Sequence, residues 1–200
     1  MNVWGNVKKI SVGGMFIGAM VLVSSFSITG CLTDSKKDTP ADTAKHTPMG
    51  AETTVSVGAQ GHATLGTAVD LDTKTVLLSA AANAAQGTID VLFAFSGGAL
   101  KLMSPIAAKA AGDVGVAANY TDASLKVTEF VKVTVKPVDS EAAAKAFTAG
   151  AAKLTSTAVA TGDQFVVKTG AGKIVYLVVK SVAGTDKNAA ADLTIAISAL

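Results

Sequence analysis

From about residue 51 onward, apolar and polar positions alternate in short runs, with the period of half-buried strands. Thr53, Val55 and Val57 alternate with Thr54 and Ser56. Residues 66–79 read as two strands turning at Asp72-Thr73-Lys74. Ser79 is placed to cap a short Ala-rich helix over 80–86, with Gly87 as its stop. Ile89, Val91, Phe93 and Phe95 line one face of a strand ending at Gly97-Gly98. Ser104, then Pro105, then Gly112 supply a cap, a first-turn proline and a terminal glycine for a helix over 106–111.

The second half is more regular. Val131, Val133 and Val135 alternate with Lys132, Thr134 and Lys136, which predicts a strand with a solvated lysine face, ended by Pro137. Asp139 or Ser140 caps a predicted helix over 141–148, Glu141 and Lys145 are spaced for an ion pair, and Gly150 closes it. Gln164–Lys168 and 173–181 flank Thr169-Gly170-Ala171-Gly172 as a hairpin. The unbroken apolar run over 174–179 predicts a central strand covered on both faces, and Leu193, Ile195 and Ile197 form a last strand. The predicted class is α+β, a mostly antiparallel sheet with two or three short Ala-rich helices; a β-sandwich is the alternative.

The N-terminus follows a different pattern. Lys8 and Lys9 precede an apolar run over 10–26, and small residues follow before Cys31, the only cysteine. Basic head, apolar middle and small-residue exit are the layout of a secretory signal peptide. At about 17 residues, interrupted by Gly13, Gly14 and Gly18, the run is short for the roughly 20 that a membrane span needs. Residues 32–50 are polar and carry Pro40 and Pro48, so 31–51 is predicted to be a disordered tether. About 19 flexible residues span on the order of 25 Å. The expected organisation is a signal peptide over 1–30, the tether over 31–51 and one globular domain over 52–200.

Ile28-Thr29-Gly30-Cys31 resembles the lipobox of bacterial lipoproteins. The resemblance implies cleavage between Gly30 and Cys31, fatty acylation of Cys31, and attachment to a membrane through that N-terminal lipid. Leu32 stands where family members retained in the inner membrane tend to carry Asp, which implies the outer membrane. The body resembles β-rich domains of unassigned function in exported lipoproteins, through Val69-Asp70-Leu71-Asp72-Thr73, Thr88-Ile89-Asp90-Val91, Phe165-Val166-Val167-Lys168-Thr169 and Gly172-Lys173. It implies no activity.

Charge and composition narrow the function. All seventeen basic residues are lysine; without Lys8 and Lys9 the fifteen left match the fifteen acids. A neutral chain without arginine lacks the concentrated charge and forked contacts of nucleic-acid binders, so no nucleic-acid partner is expected. With one cysteine an internal disulfide is impossible. Trp4 leaves with the signal, and most remaining rings fall on strand patterns, which disfavours a sugar site.

Several fragments imitate catalytic motifs. Gly170-Ala171-Gly172-Lys173 lacks the earlier glycine and the following Ser or Thr of a phosphate loop, and strands flank it. Lys168-Thr169-Gly170 matches one element of the penicillin-binding enzymes, but their Ser-x-x-Lys nucleophile motif is missing. Asp70, Asp72 and Asp90 raise a calcium or carboxylate-pair site, yet Lys74 takes a ligand position, so Asp70 is expected on the wet face of a strand and Asp72 at its turn. His46 lies in the tether and is expected to be solvated; His62 is expected in a surface loop, with metal or heme capture or a triad role as rivals. The expectation is a non-enzymatic envelope lipoprotein without metal or cofactor, acting through structure or surface contacts. The alternative is a ligand-capture lipoprotein delivering heme, a metal or another small molecule to a transporter.

Overall fold

The computed structural model describes residues 46–150 and 152–198. The predicted signal peptide, Gly30, Cys31 and the tether up to residue 45 lie outside the described residues. In chain order the strands are β1 (Thr53–Gly58), β2 (Ala68–Asp70), β3 (Thr75–Leu77), β4 (Val91–Ser96), β5 (Ala99–Met103), β6 (Glu129–Val133), β7 (Ser156–Ala158), β8 (Gln164–Lys168), β9 (Ile174–Ala183) and β10 (Ala190–Ile197). The α-helices are α1 (Ser79–Ala84), α2 (Pro105–Ala111) and α3 (Ser140–Ala149). Two five-stranded sheets result, in the orders β1-β10-β9-β8-β6 and β3-β2-β4-β5-β7, and all their pairings are antiparallel.

Both sheets feed one apolar core. Val57, Phe130, Phe165, Leu177 and Leu193 enter it from the first sheet; Val69, Val91, Phe93 and Leu102 enter from the second. The fold is therefore α+β and mostly antiparallel, as the alternation predicted. The common core also has the sheet-on-sheet character of the sandwich that stood as the alternative. Phe130 and Phe165 meet edge to face there, their ring centroids 6.4 Å apart.

The outward faces are covered too, which is why several strands read as continuous apolar runs. Leu92 and Ala94 of β4 pack beneath Ala82 of α1 and Ala108 of α2, with Met103 and Tyr120. Val131 and Val166 pack beneath Ala143 and Phe147 of α3. The alanines at these contacts are fully buried, and their small side chains let each short helix lie close to its sheet. β9, between β10 and β8, is central as expected. Among the described residues no helix is long and apolar enough to cross a membrane.

Local signals held where backbone chemistry alone decides. Ser104 caps α2 by accepting the Ala107 N–H at 3.3 Å, and Gly112 ends the helix in the left-handed region at φ 74°. Asp139 caps α3 through the Ala142 N–H at 2.7 Å. Gly97 and Gly98, at φ 57° and 82°, form the tight turn between β4 and β5, where both central residues need positive φ.

Other expectations required correction. Ser79 is the first residue of α1 and not its cap; Leu78 takes the cap position without a side-chain bond, and Gly87 sits inside a following 3₁₀ turn. Ile89 joins the helical layer and not the face of Val91 and Phe93. β6 stops at Val133, so Val135 lies beyond the strand with 74% of its surface exposed. The lysine face of that strand is partly ion-paired, since Lys132 reaches Asp163, just before β8, at 2.7 Å.

Candidate functional site

The turn between β2 and β3 gathers the three aspartates singled out by sequence. Asp70 ends β2 and its Oδ1 accepts the Thr73 N–H at 3.0 Å, an Asx turn that folds the chain back. Lys74 completes the reversal at φ 56°, an unusual conformation for a residue with a Cβ. Its Nζ donates to Ala51 O at 2.6 Å and to Thr53 Oγ1 at 3.1 Å, which ties the turn to the entry of β1.

Asp90 stands behind this turn. Its own N–H donates to Val69 O at 3.0 Å, and its Oδ2 accepts the Leu71 N–H at 3.0 Å. The residue has no solvent exposure. Burial pushes its carboxyl up to about 6; the Leu71 N–H and the Lys126 charge pull the other way, and the Asp72 and Asp70 charges add to the rise. Asp90 Oδ1 and Asp72 Oδ1 are both buried without a protein hydrogen-bond partner.

Asp72 links the two sheets. Its Oδ2 lies 3.2 Å from Nζ of Lys173, which leaves the hairpin between β8 and β9. That hairpin turns at Thr169–Gly172 as expected from sequence: Thr169 N donates to Lys173 O at 2.9 Å, and Lys173 N donates to Thr169 Oγ1 at 3.2 Å. Gly170 is required there, because a Cβ would lie 2.3 Å from Cβ of Lys126.

The aspartates are thus assembled, though not as the sequence predicted. Asp70 is 8% exposed instead of lying on a wet face, while Asp72 occupies the turn as expected. Each has a structural partner. Asp90, wholly buried and bonded to the Leu71 N–H, holds the turn. Among the described residues, no three His, Cys, Asp or Glu side chains are grouped to hold a metal ion.

The two histidines are committed to the fold in different ways. His62 Nδ1 accepts the N–H groups of Leu65 at 3.1 Å and Thr64 at 3.3 Å, which closes its own loop. His46, expected to be solvated, has Nδ1 2.6 Å from Asp139 Oδ2, although its side chain remains 65% exposed. The next residues follow it onto the domain: Ser140 N donates to Thr47 O at 2.9 Å, and Met49 pairs with Ser198.

A surface trough of about 370 Å³ lies elsewhere, lined by Gly98, Leu100, Val159, Thr161, Val182 and Thr185 among others. Thr161 is already engaged, its Oγ1 accepting the Val182 N–H at 3.0 Å. Sequence reading missed this feature, because its walls come from three segments far apart in the chain. Compared with known proteins, the chain matches no family model, no curated protein and no solved structure.

Proposed function

We propose that this chain is a lipid-anchored protein of the bacterial cell envelope, held by fatty acylation of Cys31 and acting through its surface and not through catalysis. One observation carries the reading: Ile28-Thr29-Gly30-Cys31 follows, after Ser27, an apolar run over 10–26 headed by Lys8 and Lys9. The non-enzymatic part draws support from the titratable groups themselves. Asp90 is buried and bonded to Leu71, Asp72 is paired with Lys173, and His62 Nδ1 closes a turn. The outer membrane is the proposed address, on the strength of Leu32 after the cysteine.

The test is Cys31→Ala in a bacterial host, with membrane fractionation and mass spectrometry of the N-terminal peptide. The parent is expected in membranes with an acylated Cys31 as its first residue, and the variant is expected to stay uncut. A parent that begins at Met1 with a bare thiol would overturn the proposal.

The trough favours a second reading, capture of a small molecule for a transporter. Its volume of about 370 Å³ reaches the lower range of small-ligand sites. A reproducible thermal shift with heme, a metal ion or a sugar, abolished by Val182→Trp in the trough wall, would move the function to this reading.

A further inference from the structure

The two most exposed large apolar side chains among the described residues are neighbours in one loop. Val135 and Val138 are 74% and 84% exposed and flank Lys136 and Pro137, between β6 and α3. Exposed apolar groups brought together in this way mark contact surfaces more often than isolated ones do.

The loop adjoins the point where the chain from the N-terminus reaches the domain. His46 lies on Asp139, the residue after Val138, and Thr47 accepts from Ser140. Glu52, a few residues further on, is bonded to Lys136. Only fourteen residues, 32–45, separate Cys31 from His46. A polar chain of about that length spans roughly 20 Å on average and at most about 50 Å. An anchor at Cys31 therefore keeps this end of the domain near the bilayer.

Two of the charges beside the valines are compensated, while Glu141 on the first turn of α3 stays exposed. Lys136 is neutralised by Glu52 and lies 5.9 Å from the centre of the Tyr176 ring, and Asp139 is covered by His46 and by the Ala142 N–H. Moving the loop to a lipid interface thus desolvates few unpaired charges, while Val135 and Val138 leave water. Two valines would be too weak to bind a membrane from solution. Behind a lipid anchor the contact becomes intramolecular, and the high local concentration makes a weak contact count.

We propose that the Val135–Val138 loop rests on the lipid surface, so that the anchored domain is held in one orientation, its β6–α3 end toward the membrane. This rests on acylation of Cys31. The occupant is the bilayer itself, not a second copy of the chain.

The test uses the full chain made in bacteria, purified in detergent and reconstituted into phosphatidylethanolamine/phosphatidylglycerol vesicles containing lipids brominated near the headgroup. Because Trp4 is the only tryptophan and precedes Cys31, the processed protein has none. Val138→Trp and Leu78→Trp each add a single probe; Leu78 is also exposed, at 57%, but lies at the start of α1. Bromolipid is expected to quench the probe at 138 at least threefold more than the probe at 78. Adding Val135→Asp to Val138→Trp is expected to bring the two to parity, with the circular dichroism unchanged. Equal quenching at 138 and 78 in vesicles that co-float with acylated protein would overturn the loop contact and leave the anchor standing. Emission at 138 that is already shielded in detergent and depends on protein concentration would overturn it in favour of a second copy. An N-terminal peptide without acyl mass would overturn the anchor, and the loop contact with it.

Discussion

Asp90 and Leu71, nineteen residues apart, are joined by a hydrogen bond of 3.0 Å from a backbone N–H to a carboxylate that has no access to solvent. The bond satisfies a turn amide that β2 and β3 leave unpaired. It also keeps a carboxyl where its charged form is poorly solvated.

A pH dependence follows. The folded-state value of about 6 lies above the ordinary 3.8, so the native state binds this proton more tightly than the unfolded chain does. Asp90 therefore favours folding below about 3.8, and that contribution is lost as the pH rises through 6. The difference amounts to roughly 3 kcal/mol. Asp113, held below the usual range by Ser96 and the Gly97 N–H, and Asp192, held there by Ser56 and Ser181, act in the opposite sense. Comparison with Asp90→Asn isolates the one group. Between pH 4 and pH 7.5, urea unfolding is expected to show the variant gaining on the parent by about 2–3 kcal/mol. Parallel stability curves would remove Asp90 as the titrating group.

The common core predicts a large cost at the aromatic pair. Phe165→Ala removes a fully buried ring and is expected to cost about 3–5 kcal/mol. A double-mutant cycle with Phe130→Ala is expected to return a coupling of about 0.5–1.5 kcal/mol, because the rings meet edge to face. A coupling near zero would mean that the two rings contribute independently.

Capping gives a pair of contrasting outcomes. Asp139→Ala loses the bond to Ala142 and the contact with His46, and should cost about 1–2 kcal/mol. Ser79→Ala removes no cap bond and should stay within about 0.5 kcal/mol of the parent. Chemical denaturation of both variants checks the contrast; equal losses would contradict the assignment of caps.

Two glycines should respond oppositely to a methyl group. At Gly87 an added Cβ meets nothing within 4 Å, so Gly87→Ala is expected to raise stability by about 0.4–1 kcal/mol. At Gly170 the same change drives Cβ to 2.3 Å from the Lys126 stem and must displace the hairpin. Melting temperatures that move in the same direction for both would exclude this difference in space.

Much of the architecture was legible in the linear pattern. Alternation at β1 and β10 marked strands, the glycine turn at 169–172 marked β8 and β9 as a hairpin, and the doubly apolar run of β9 marked a central strand. Ser104, Pro105 and Gly112 bounded α2, because caps and left-handed stops are decided within a few residues by the backbone itself. The same locality explains the misplacement at Ser79, where a residue suited to capping was absorbed into the helix. It also explains Val135, whose alternation continues after the strand partner has ended.

The sequence by itself determined which residues alternate, where local chemistry starts and stops the helices, and that Cys31 follows an apolar leader. Only the tertiary structure decided that two sheets share one core beneath short alanine helices. Only it decided that Asp90 holds the Leu71 turn, that Lys173 reaches Asp72, and that two valines stand exposed in the loop leading to Asp139, the partner of His46. The reason is range. Periodicity and capping depend on neighbours within a turn or a pleat, whereas burial, paired charges and raised proton affinities depend on segments brought together from far along the chain.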